Sequence, residues 1–168
     1  MPRGLKQTSS VVSIGFGVTE SAANTFTQSS VDLNLSPLDR EVFVVLSANL
    51  DINAPDLVAD TPTNMRAGLT STSFATMPSL ADSNCLARIS SAIQTVDVMA
   101  VGFTSGALET PPATLEYIGI IATNDFFVQI QGNSNTNAGA VKGKLYGYRA
   151  VADASIYAAL VQSEALSA

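Results

Sequence analysis

Apolar and polar residues alternate along most of this chain in short runs, separated by stretches rich in turn formers. A period of two is the signature of strands with one buried face. The clearest run is EVFVVLSANLDI, residues 41–52, where Val42, Val44, Leu46, Ala48, Leu50 and Ile52 share one face. The opposite face starts apolar at Phe43 and Val45 and turns polar at Ser47, Asn49 and Asp51, so one end of this strand is expected to be buried on both sides. Similar runs lie at 10–19, 31–35, 65–74, 85–93, 96–103, 115–123, 125–131 and 141–151. So many strands exceed what one small open sheet holds, which predicts two packed sheets or a closed barrel.

The connections agree. NAPDLVADTPT, TMPSLADSN, TSGALETPPAT and GNSNTNAGA carry the Pro, Gly, Asn and Asp that stop strands and form turns. A helix is predicted only at the C-terminus. There Asp153 can cap ASIYAALVQSEAL, with Ile156 and Leu160 on one side and Tyr157, Val161 and Glu164 on an adjacent stripe. That stripe needs cover, from the chain's own sheets or from another subunit. In Gly143 and Gly147 of the late strand, missing side chains suggest close backbone approach.

Composition changes the picture in one respect. Charged residues make up 13% of the chain, about half the roughly 25% of an ordinary soluble domain. Ser and Thr supply 34 of the 168 residues, and small neutral polar groups can be covered by a neighbour at low desolvation cost. This points toward assembly into a homo-oligomer, the alternative being a monomer with a Ser/Thr-rich skin. The net charge of −6 argues against a dense basic footprint for nucleic acid. The bases are nevertheless uneven, with Arg3 and Lys6 near the start and Lys142, Lys144 and Arg149 near the end. One cysteine, Cys85, permits no internal disulfide and reads as a small core residue. No apolar run is long enough for a membrane span or a secretion signal, so the chain is expected to be made in the cytoplasm.

The chemistry is informative by omission. Without histidine there is no Ser-His or Cys-His nucleophile system and no histidine metal centre, and one cysteine cannot build a zinc site. The chain is expected to be no enzyme and to need no cofactor. Asp51, Asp56 and Asp60, in DINAPDLVAD, are the only candidates for paired-carboxylate chemistry or for calcium, and they lack the glycine and distal glutamate of an EF-hand. Gly15 and Gly17 in SIGFGVTES lack the third glycine and the helix of a dinucleotide fingerprint.

The strand VKGKLYGYRAV aligns Lys142, Lys144, Tyr146 and Tyr148 on one face. Such a face suits contact with another subunit, solvent, or single-stranded nucleic acid, in that order. Tyrosine offers large contact area with few rotamers to freeze, and the lysines can meet acids on another copy. Together with Ile156, Tyr157, Leu160 and Val161 of the helix, these residues form the expected subunit interface.

With eight or nine short strands, turn-rich connections, the short basic start MPRGLKQTS, a low-charge surface and no catalytic apparatus, the chain resembles the jelly-roll coat proteins of tailless icosahedral viruses. The resemblance implies an all-β, two-sheet antiparallel sandwich with a short C-terminal helix. Residues 1–9 would be an assembly arm, 10–152 the sandwich and 153–168 a peripheral helix. It further implies a self-assembling capsid subunit located in the virion, many copies to a shell, with other capsid proteins and the packaged nucleic acid as partners. The alternative reading is a carbohydrate-binding or adhesive β-sandwich displayed outside a cell.

Overall fold

In a computed structural model, which describes residues 2–106 and 115–167, the described residues form ten strands and one helix. The strands are β1 (Leu5–Gln7), β2 (Val12–Thr19), β3 (Thr27–Asp32), β4 (Glu41–Ile52), β5 (Thr63–Thr70), β6 (Cys85–Val96), β7 (Met99–Gly106), β8 (Gly119–Ile121), β9 (Asp125–Asn133) and β10 (Ala140–Ala152). The helix is α1 (Ala154–Ser167). One sheet runs β1-β10-β4-β8 with β2 also paired to β10, and the other runs β3-β9-β5-β6-β7. Every pairing is antiparallel.

The pairs are nested: β2 with β10, β3 with β9, β4 with β8, β5 with β6. This is the pattern of one long antiparallel hairpin rolled into two facing sheets, the jelly-roll form of sandwich. Side chains from both inner faces fill the space between them, among them Phe43, Val45, Met65, Leu69, Phe126, Ile130 and Leu145. Phe16 of β2 meets Phe126 of β9 edge to face, ring centroids 5.6 Å apart, which ties the two sheets together beyond area burial alone.

The expected single face of β4 is split. Ser47 pairs with Tyr146 but Val45 pairs with Gly147, leaving Leu46 as the extra residue of a β-bulge. An extra residue reverses which side chains face inward. Phe43, Val45 and Ala48 therefore enter the core between the sheets, while Val42 and Val44 belong to a second cluster on the outer face. Helix α1 covers that second cluster with Ile156, Tyr157, Leu160 and Val161.

Several boundaries also differ, among them the fifth, seventh and eighth strands, which span Thr63–Thr70, Met99–Gly106 and Gly119–Ile121. The third strand is Thr27–Asp32, polar TQSS included, whereas Leu33 and Leu35 are buried beyond its end, with Asn34 at a positive φ of 53° between them. Residues 5–7 of the expected arm are paired to β10, and Leu5 is buried. Most of the loop expected at 104–114 lies outside the described residues, and Thr104 to Gly106 end β7. The expected close approach at Gly143 and Gly147 is present: a Cβ at Gly143 would strike the Asn49 carbonyl and the Phe16 ring, and one at Gly147 the Val44 carbonyl and the Phe43 ring.

Candidate assembly surface

Four carboxylates organise the molecule before any surface is left free. Glu20, at the end of β2, is buried, and its Oε1 accepts the Gly132 N–H at 2.6 Å while Oε2 accepts the Gly139 N–H at 2.7 Å. Both ends of the β9–β10 loop are thereby clamped to β2. Asp56 Oδ2 accepts the N–H groups of Thr136 and Asn137 from the same loop, at 2.9 and 2.7 Å. Asn24 closes the cluster, its side-chain amide donating to the Asn135 carbonyl and accepting the Asn135 N–H, both at 2.8 Å.

At the opposite end, Glu164 of α1 is buried and accepts the N–H groups of Ala122 and Thr123, at 3.1 and 3.0 Å. Burial raises its carboxyl pKa, and the two N–H bonds only partly oppose that. Arg149 donates to the carbonyls of Leu33 and Asn34 and pairs with Glu41 at 3.3 Å. It is thus engaged inside the chain and does not join Lys142 and Lys144 in a basic patch.

The sequence-predicted interface residues divide into two groups. Lys142 and Lys144 are exposed on the outer face of β10 and Tyr146 is half-buried. Their strand neighbours are Gly17, Gly15 and Ser13 of β2 on one side and Asp51, Asn49 and Ser47 of β4 on the other, an outward face with few large side chains. Tyr148, past the bulge, is only 7% exposed and packs in the outer cluster under the helix. Its hydroxyl pKa is raised by burial and by the nearby Glu116 carboxylate. Ile156, Tyr157, Leu160 and Val161 turn toward the same cluster, so the chain's own sheet supplies the cover their stripe needed.

Asp51, Asp56 and Asp60 are not brought together. Asp51 faces outward opposite Lys142, Asp56 holds the β9–β10 loop, and Asp60 Oδ1 accepts the Asp97 N–H at 3.0 Å. Among the described residues there is no group of three or more acids or cysteines suited to a metal ion. Cys85 is half-buried, not a core residue, and its thiol pKa is raised by burial.

Sequence reasoning missed one open apolar surface. Strands β6 and β7 form a hairpin at the edge of their sheet, and among the described residues β7 pairs with β6 alone. Ala87 and Ile89 face the core, so Ala92, Gln94 and Val96 point outward, and register sets Phe103, Val101 and Met99 opposite them. Phe103 is 57% exposed, Met99 70% and Val96 74%. The only charged residue from Ile89 to Gly106 is Asp97, at the turn. The apolar character of VDVMAVGF was legible, but its position at an edge depends on pairings between distant segments.

No family model and no curated protein matches the sequence. Among solved structures, the chain is similar to one of Desmodium yellow mottle tymovirus, at 16% identity over 92% of this chain and 89% of that one, with a TM-score of 0.30. It is also similar to the tailspike protein gp49 from Acinetobacter baumannii bacteriophage Fri1, a capsular polysaccharide depolymerase, at 13% identity over 72% of this chain and 20% of that one, with a TM-score of 0.17. Likenesses this loose leave the functional reading to rest on the surfaces themselves.

Proposed function

We propose that the chain is a non-enzymatic structural subunit that associates with copies of itself, and that the assembly is the shell of a virus. The supporting observation is the β6–β7 hairpin. An edge strand presents unpaired backbone N–H and C=O groups, and proteins that remain single guard such edges with lysine, proline or a covering segment. β7 carries no lysine or proline, and among the described residues no segment pairs with its outer edge: its sequence is MAVGFTSG, uncharged, with Met99, Val101 and Phe103 exposed on one face. A neutral, apolar edge on a chain of net charge −6 favours a neighbour that is itself neutral there, which another copy provides. The exposed Lys142 and Lys144 face offers a second contact, to the excess acids of an adjoining copy.

Electron microscopy and light scattering of the purified protein test this reading. Regular particles or discrete capsomers are expected. A Val101→Lys, Phe103→Lys double variant, checked for an unchanged circular dichroism spectrum, should stay at single-chain mass. A parent protein of single-chain mass at every salt concentration and pH would refute the proposal, as would a double variant that assembles as the parent does. Glycan binding by a protein that stays single would favour an adhesive sandwich instead.

A further inference from the structure

Strands β5, β6 and β7 carry two charged residues between them, Arg66 and Arg88, and no acid. Met65, Ala67, Ala87 and Ile89 face the core, so both arginines point to the outer face of their sheet. Register places Arg66 opposite Ser90, Arg88 opposite Gly68, and Ser90 opposite Ser105. The arginines are therefore diagonal neighbours with a pair of serines beside them, within reach of long side chains.

Neither guanidinium has a hydrogen bond or ion pair among the described residues, and Arg66 Nε is buried with no partner. An unpartnered guanidinium pair is unusual, because a buried donor left unmade is destabilising and adjacent like charges repel. Among the described residues, the acids around this region are engaged or distant. Asp82, on the segment between β5 and β6, accepts the Ser79 N–H at 2.6 Å. Asp60 is bonded to Asp97 at the hairpin turn, and Asp32 and Asp125 pair at the far end of β3 and β9.

A cavity of about 210 Å³ opens on this face, lined by Arg88, Ser90, Ser105 and Leu80. Pro78 sits over Gly68, closing one flank. We propose that this cavity binds a phosphate-class oxyanion, with Arg88 as the direct cation, Arg66 reinforcing the field, and the Ser90 and Ser105 hydroxyls as further donors. A carboxylate has two coplanar oxygens, which one guanidinium fork already satisfies. The two hydroxyls approach from a neighbouring pair of positions and suit the additional oxygens of a tetrahedral anion. Leu80 gives an apolar wall for an organic substituent.

Isothermal titration calorimetry at fixed ionic strength tests the site in either the single or the assembled protein. Saturable binding of inorganic phosphate is expected, weakened at least tenfold by Arg88→Gln and several-fold by Arg66→Gln, and unchanged by Lys144→Gln. Arg88→Lys, which keeps the charge but loses the planar fork, should weaken it several-fold and guards against a variant that fails to fold. Tighter binding of glycerol 3-phosphate than of phosphate would identify an organic phosphate as the occupant, and the reverse order free phosphate. No saturable binding, acetate bound as tightly as phosphate, or an Arg88→Gln variant that binds as the parent does would overturn the proposal.

Discussion

Replacing Glu20 should be the most damaging single change to the polar framework. Its carboxylate is 4% exposed and accepts two buried backbone N–H groups, those of Gly132 and Gly139. In Glu20→Ala both donors lose their acceptor, and an unmade buried donor costs about 1–3 kcal/mol, more when the lost partner was charged. The sum is roughly 2–6 kcal/mol, a large fraction of the 5–15 kcal/mol that holds a typical domain folded. Glu20→Gln keeps one acceptor oxygen but turns an amide N–H₂ toward the other donor, and should cost about 1–3 kcal/mol by the same reasoning. Urea unfolding at equal protein concentration measures both, since association adds to apparent stability. Hydrogen exchange resolved to the 132–139 segment should show the Gly132 and Gly139 amides losing protection first. An Ala variant within about 0.5 kcal/mol of the parent, the scatter of ordinary surface substitutions, would refute the clamp. So would unchanged protection at those two amides.

Two further outcomes follow from packing and burial. Gly147→Ala should destabilise by roughly 1–3 kcal/mol or more through overpacking against Phe43 and the Val44 carbonyl, while Gly15→Ala, whose Cβ meets nothing, should stay within about 0.5 kcal/mol of the parent in the same urea titration. Glu164 gives a pH dependence. A carboxyl whose folded pKa is raised contributes stability that is fully present below its ordinary value of 4.5 and lost as pH rises through the raised value. Exchange protection of the α1 amides should therefore fall across that window, and Glu164→Gln should abolish the dependence. Protection that instead rises with pH would show the two N–H bonds outweighing burial.

The strand content was readable because it rests on local alternation, and β4, β9 and β10 lie close to where the pattern puts them. What failed needed information from elsewhere in the chain. The bulge at Leu46 arises from the pairing of β4 with β10, and no feature within EVFVVLSANLDI announces the reversal of faces it causes. β3 was displaced because TQSS has no apolar alternation, being held by Phe126, Val128 and their neighbours on β9, while the apolar VDLNL that stood in for it mostly supplies buried leucines to a loop. Glu20 and Gly132 are 112 positions apart, and a lone glutamate after a strand carries no mark of burial. Of the predicted surface, Lys142 and Lys144 are exposed neighbours on one face of β10, since two residues apart on one strand is a local relation. Tyr148 shares their face in sequence, yet it is covered because α1 reaches only that end of the sheet.

The low charge content means more in three dimensions than it does as a percentage. Glu20, Glu41, Asp56 and Glu164 are bound to backbone N–H groups of other segments, and Arg149 is held by two carbonyls and Glu41. The outer surface is therefore poorer in ions than the composition suggests, and the β6–β7 hairpin beyond Arg88 carries Asp97 as its single charge. A hairpin with an open edge and exposed Phe103, Met99 and Val96 has two fates. If growth at that edge is terminated by geometry, the products are closed particles of fixed size. If it is not, pairing continues and the protein precipitates, as unguarded edges do. Particle size distributions as a function of concentration separate these fates, because closed shells keep one radius as their number rises whereas open growth shifts the radius itself. The internal clamps favour the first: loops fixed at both ends of the sandwich give each copy one shape, and a repeated contact between rigid copies closes only when its angle is constant.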